Sequence, residues 1–206
     1  MSHNSVLDIP RTPLLVILSG PSGAGKDAVL TRMKQSGYPI EFITTVTTRP
    51  RRTTERDNID YRFITTAEFE EMIARNEFLE WANVYGNWYG VPKKAVRQAL
   101  EKGRDVIVKI DVQGAATIKK IASHAVFIFV TPPTIEELVQ RLKQRNTETA
   151  FDLELRTKTA ETEIKQLPLF DYIVFNRRDE IDKAVADIQA IITAEKCCIQ
   201  PRQVTL

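Results

Sequence analysis

The segment Gly20-Pro21-Ser22-Gly23-Ala24-Gly25-Lys26 has the residue types and spacing of a phosphate-binding loop. Its glycines let backbone N–H groups converge on phosphate oxygens, a helix opening behind it adds positive potential, and Lys26 supplies a point charge to the terminal phosphates. The pattern asks for Ser or Thr after the lysine, to set a hydroxyl on Mg²⁺. This chain has Asp27 there. A carboxylate binds Mg²⁺ directly or through water, but it also repels the neighbouring phosphate. The alternative is that Asp27 is a first-turn acid favoured by the helix dipole.

Three further clusters carry chemistry. In Thr44-Thr45-Val46-Thr47-Thr48-Arg49-Pro50-Arg51-Arg52, three arginines fall within four residues. They form either a solvated basic turn or a second phosphate site, where arginine forks bind bidentately. The segment from Glu80 to Gly90 mixes one acid with Trp81, Tyr85, Trp88 and Tyr89. It reads as core and turn, or as tyrosine hydroxyls for a phosphate and a carboxylate for a base edge. Finally, Arg141, Arg145 and Arg156 flank Asn146-Thr147-Glu148-Thr149. Arg141 and Arg145 are four apart and share a helix face. A weakly apolar, arginine-bearing segment is either an ordinary charged face or a lid that closes over phosphates.

These residues need a scaffold. Leu14 to Ser19 is a short apolar run before the loop, and Val29, Leu30 and Met33 share one face after it. That strand–loop–helix opening predicts an α/β fold. Buried strands are expected over 105–110 (interrupted by Lys109), 125–130 and 171–175, and strand character over 41–48. Thr65 with Glu68 and Thr134 with Glu137 are capping boxes, opening helices to about Arg75 and Gln144. Pro92 suits a first helical turn, ahead of a helix over 93–102. A polar helical stretch over 146–166 and an amphipathic helix over 179–195 follow. The segment 41–91 reads as a small mixed insertion.

Composition narrows the function classes. With 29 basic and 27 acidic residues among 206, the net charge is +2, which gives no general attraction to nucleic acid or a membrane surface. The longest apolar runs are far too short to span a bilayer, and residues 1–13 lack a signal-peptide core. Cys197 and Cys198 are adjacent, so they make neither a disulfide framework nor a zinc set. A reduced, cytoplasmic protein with idle cysteines is expected.

Taken together, from residue 14 to 195, the motifs resemble those of guanylate kinases. The resemblance rests on GPSGAGK, TTR followed by Arg52, Asp60-Tyr61, NEFLEWA with GNWYG, Ile110-Asp111-Val112-Gln113-Gly114, PP then EEL…RL…RNTET, and Val174-Phe175-Asn176. It implies transfer of the ATP γ-phosphate to GMP with Mg²⁺, with no nucleic-acid or membrane partner, in a monomer or homodimer. The implied fold is a three-layer parallel-sheet P-loop core (13–43, 95–133, 167–196) with a mixed α/β GMP-binding region (44–94) and a helical lid (134–166). A loose leader (1–12) and a tail (197–206) flank it. By resemblance, the residues from Gly20 to Lys26 hold the ATP phosphates, Asp27 belongs to the ATP site as a contact to Mg²⁺ that is held mainly by ATP phosphates and water, and Asn176 lies near the adenine. Arg49, Arg52, Tyr61 and Tyr89 clamp the GMP phosphate, and Thr45, Glu80 and Asp111 read guanine. Arg141, Arg145 and Arg156 meet the transferring phosphate, Arg145 contacting ATP as well; these three, with Lys26 and Arg49, form the catalytic set.

Some positions depart from the family pattern. Asp27 replaces a hydroxyl, Lys109 an acid and Val91 a hydroxyl, and TTRPRR adds Arg51, leaving open which of Arg51 and Arg52 reaches phosphate, although spacing favours Arg52. Asp27 and Lys109 are expected to be an electrostatic exchange, in which Asp27 takes over Mg²⁺ contact or pairs with Lys109. Two other readings remain: a phosphopeptide-binding module of the same fold, against which the retained Lys26 and lid arginines speak, and a P-loop kinase for another monophosphate, against which Glu80 and Asp111 speak.

Overall fold

The first strand, β1 (Leu15–Ser19), is buried along its whole length, as a strand covered by helices on both faces must be. In chain order it is followed by α1 (Lys26–Gln35), β2 (Glu41–Phe42), β3 (Val46–Thr47), β4 (Arg62–Phe63), α2 (Thr66–Ala74), β5 (Phe78–Val84), β6 (Asn87–Pro92) and α3 (Lys93–Glu101). Then come β7 (Val106–Lys109), α4 (Val112–Ile121), β8 (Val126–Thr131), α5 (Ile135–Lys143), α6 (Ala150–Ile164), β9 (Tyr172–Phe175) and α7 (Ile181–Lys196). This computed structural model describes residues 12–53, 55–143 and 150–206, the side chains of 150–156 excepted.

The strands form two sheets. One is parallel throughout, in the order β2-β7-β1-β8-β9. Val29 and Met33 of α1 and Ile188 of α7 pack on one face of it, and Val96 of α3 with Ile118 of α4 on the other, giving three layers. The α/β fold with a parallel sheet expected from the sequence is therefore the fold found. From β1 the chain runs to β2 on one side of it, and from β7 it crosses to β8 on the other, so the strand order reverses about β1 and the crevice beyond the carboxyl ends of these strands is where such a sheet binds ligands.

The second sheet has the order β4-β3-β6-β5 and carries α2. Its small core stacks Phe69 on Phe78 with ring centroids 4.5 Å apart and adds Val46 and Met72. Full burial of Phe69 stabilises the unit by about 2–3 kcal/mol. The Thr65–Glu68 capping box is fully formed. That of Thr134 is half formed, because Glu137 donates its amide to Thr134 but turns its carboxylate to Arg141.

Two local readings change. The stretch 41–48 is not one strand. Ile43 still donates to Ile107 in the first sheet, whereas Arg62 donates to Thr45 in the second, so the chain changes partners at Thr44. Pro92 is not in a first helical turn. It ends β6, opposite Phe78, and stands as the residue before α3. Among the described residues no helix is long and apolar enough to cross a membrane.

Candidate active site

The phosphate-binding loop leaves β1 and enters α1, and its geometry is held by backbone and by a brace. Gly25 caps α1 with φ 85°, a left-handed conformation that favours glycine. A Cβ there would meet the Asn176 amide, which donates to the Ala24 carbonyl at 2.9 Å. Arg141 joins this brace, donating to the Asn176 carbonyl at 2.7 Å and pairing with Glu137 at 2.5 Å. Lys26 folds onto the loop, donating to the carbonyls of Gly20 at 2.5 Å and Pro21 at 3.0 Å. Desolvation holds its ammonium below the ordinary lysine value, against the opposing pull of Glu163 and Asp27.

This loop forms one wall of a cavity of about 190 Å³. The second sheet and the end of β7 supply the other wall, bringing Thr45, Arg49, Arg52, Tyr61, Glu80 and Tyr89 together with Asp111. Arg52 lines it and Arg51 does not. Arg49 donates through Nε to the Tyr89 hydroxyl at 3.2 Å and lies over the Tyr61 ring. Its Nη2 pairs with Glu55 at 2.7 Å, and Glu55 also accepts from the Arg52 amide at 2.9 Å. Glu55 thus pairs closely with Arg49 and, at 3.7 Å, loosely with the Arg52 guanidinium, the two arginines expected to hold a phosphate. Sequence reasoning missed it, since an acid in a basic turn carries no signal of its own.

Glu80, on β5, is buried, and its Oε2 finds no hydrogen-bond partner among the described residues. Burial first, and the nearby Asp111 second, push its carboxyl up to about 8. Gly114 makes room for it: a Cβ there would lie 2.6 Å from Oε2. Asp111 caps α4 by accepting from the Gly114 amide at 2.7 Å, and burial raises its carboxyl as well. Thr45 is buried beside them, its hydroxyl 3.4 Å from the Lys109 carbonyl.

Lys109 ends β7 inside this cavity. Its ammonium contacts the Asp27 carboxylate and donates to the Tyr61 hydroxyl at 2.5 Å. Burial would discharge it, but Asp27 and Tyr61 outweigh that and keep it charged. The expected Asp27–Lys109 pairing is therefore present as a contact.

A second acid reaches the loop. Glu163, on α6, accepts from the Ser22 amide; burial raises its carboxyl, and Lys26 opposes the rise. Nothing in the polar pattern of 146–166 singled it out. Of the three arginines expected at the transferring phosphate, Arg141 is held beside the loop by Glu137 and by the carbonyls of Asn176 and Ala24. Arg145 and the side chain of Arg156 lie outside the described residues.

The arrangement gathers basic side chains on both walls of one cavity, with the buried Glu80 carboxyl among its lining. Comparisons with known proteins show the family. The family model described as guanylate kinase matches residues 12–195. A guanylate kinase of Clostridioides difficile is 44% identical over 183 residues, covering 89% of this chain and 88% of its own. Guanylate kinase 2, chloroplastic/mitochondrial, of Oryza sativa is 42% identical over 198 residues, or 96% of this chain and 70% of its own. The solved guanylate kinase of Anaplasma phagocytophilum superposes with a TM-score of 0.76 at 30% identity, covering 92% and 89% of the two chains.

Proposed function

The chain belongs to the guanylate kinase family and transfers phosphate from ATP to GMP, and on that premise we propose how its residues divide the work. The observation that carries the assignment is Glu80: a buried carboxylate, with an oxygen unpartnered among the described residues, at the base of a cavity between a phosphate loop and a tyrosine–arginine cluster. Guanine presents a ring N–H and an amino group on one edge, and a carboxylate accepts from both. Adenine offers no such pair. Thr45 and Asp111 flank Glu80 as further guanine readers.

Arg49, Arg52, Tyr61 and Tyr89 hold the GMP phosphate in this reading, with Glu55 giving up the arginines as the phosphate arrives. The amides from Gly20 to Lys26 and the Lys26 ammonium hold the ATP phosphates. The acceptor is already a phosphate oxygen, so no general base is needed; attack on the γ-phosphorus requires alignment and neutralisation of two polyanions. Arg145 and Arg156 are proposed to add positive charge from the lid, which also keeps out water as a competing acceptor. Arg141 and Asn176 act as positioning residues, bracing the loop at Ala24.

Kinases of this kind need a divalent metal, and Mg²⁺ is proposed here. It favours one or two carboxylates together with substrate phosphates and water. Asp27, exposed on the first turn after Lys26, fits that donor set. Among the described residues no group of three or more His, Cys, Asp or Glu forms an all-protein cage, so the ATP phosphates would supply most ligands. Bound there, Mg²⁺ would draw charge from the β- and γ-phosphates. The two exposed thiols, Cys197 and Cys198, suit a reducing compartment, and the cytoplasm is the proposed location.

The test is to follow ADP formation from Mg-ATP with GMP, AMP, CMP and UMP in turn. Turnover with GMP alone is expected. Turnover with AMP at a comparable rate would remove Glu80 from its role.

A further inference from the structure

We propose that Lys109 is a phosphate-binding residue of the acceptor site, a cation this chain adds to the arginine–tyrosine clamp; the inference rests on the GMP reading above. Lys109 lies at the carboxyl end of β7, on the same cavity as Lys26, Arg49, Tyr61 and Tyr89. Its side chain is only 13% exposed, with its ammonium held by the Asp27 carboxylate and the Tyr61 hydroxyl. A largely desolvated cation facing a cavity attracts an anion far more strongly than one in water. Its ammonium is 4.1 Å from the centroid of the Tyr61 ring, which fixes it between the donor loop and the acceptor clamp.

The hydrogen-bond direction adds a second argument. An ammonium only donates, so Tyr61 must accept from Lys109 through its oxygen. The Tyr61 O–H is then aimed elsewhere, and the acceptor phosphate beside Arg49 is the partner the cavity provides. Lys109 has three donors, of which Asp27 and Tyr61 take two among the described residues. The third serves the phosphate directly. Asp27 thus holds the ammonium in place until the anion arrives.

The test is calorimetric titration of the metal-free protein, without ATP, using GMP and guanosine as separate ligands. Wild type should bind GMP more tightly than guanosine. Lys109→Met should weaken GMP by about 10- to 100-fold, the range of a charged hydrogen bond. It should change guanosine by less than about twofold, which also shows that the variant is folded. Lys109→Arg should recover part of the GMP affinity, and Asp27→Ser with Lys109→Met should stay weak. The proposal is overturned if Lys109→Met binds GMP as wild type does, or if the double variant regains wild-type affinity, since Lys109 would then only neutralise Asp27. Wild type that binds no GMP would overturn the guanine-site reading itself and this inference with it; wild type that binds GMP while Lys109→Met is unaffected overturns only the inference.

Discussion

At Glu80 the protein keeps a carboxyl almost wholly buried in the wall of the cavity, and the cost appears as a shifted equilibrium. Burial, then Asp111, raises it to about 8 from an ordinary 4.5. The empty site is therefore protonated at neutral pH, while guanine recognition needs the carboxylate. GMP binding should release a proton, so the KM for GMP falls as pH rises from about 6.5 to 8 and levels off above. Glu80→Gln should raise the KM, relax discrimination against AMP, and abolish this pH dependence; a pH–rate series on both proteins checks it. The sign for stability is opposite. Between the unfolded and folded values the native state binds more protons than the unfolded chain, so stability falls as pH rises from 4.5 towards 8. Ligand-free Glu80→Gln should thus gain in melting temperature relative to wild type across that window. Glu80 was legible from its motif. The lack of a hydrogen-bond partner for its Oε2 among the described residues, and its protonation, were not, because both depend on how β5 packs against α4.

Helix α4 shows how an element serves the site by leaving something out. Gly114 in its first turn faces Glu80, and a Cβ would sit 2.6 Å from Oε2 and 2.8 Å from the carboxyl carbon. Those atoms end a flexible side chain, so Gly114→Ala should displace the carboxylate rather than the helix. The expected result is a KM for GMP raised about tenfold, equal to one lost charged hydrogen bond, with the KM for ATP and the urea midpoint nearly unchanged. Thr65→Ala tests the converse at α2. Losing the capping box should cost about 1 kcal/mol in urea unfolding, because α2 carries Phe69 and Met72 into the second core. Capping boxes are local and could be read from spacing. The change of sheet at Thr44 could not, because the alternation through 41–48 is the same whichever strand it pairs with. Glu55 and Glu163 were hidden for the same reason: their meaning lies in arginines and a loop that the fold brings to them.

Among the described residues, ion pairs stand at both ends of the parallel sheet, around the cavity at one end and under the docked tail at the other. Beyond the carboxyl ends of the strands lie Lys26, Arg49 and Lys109, lining one cavity with the phosphate loop. At the amino ends the ions are paired with one another. Asp105 accepts from the Leu14 amide and pairs with Lys196 at 2.8 Å. Asp171 accepts from the Phe127 amide and pairs with Lys119 at 3.1 Å. Arg202 meets Glu195 at 2.6 Å and Asp171 at 3.2 Å, and donates to the Ala125 carbonyl. The polar tail, which carried no role in the sequence, is thereby docked, with Val204 and Leu206 against the core. The Glu195 side chain is 4% exposed, so Arg202→Ala leaves a buried carboxylate without its cation. A loss of about 3 kcal/mol in urea unfolding at pH 7 is expected, with kcat unchanged because the far end of the sheet is untouched. Burial alone would raise the Glu195 carboxyl, but Arg202 and Tyr172 outweigh it and hold it low. A lowered carboxylate stabilises above its unfolded value of 4.5 and loses that contribution as pH falls through the folded one. The deficit of Arg202→Ala should accordingly shrink below about pH 4. A deficit that stays constant with pH would mean that the tail is held by Val204 and Leu206 rather than by the ion pair.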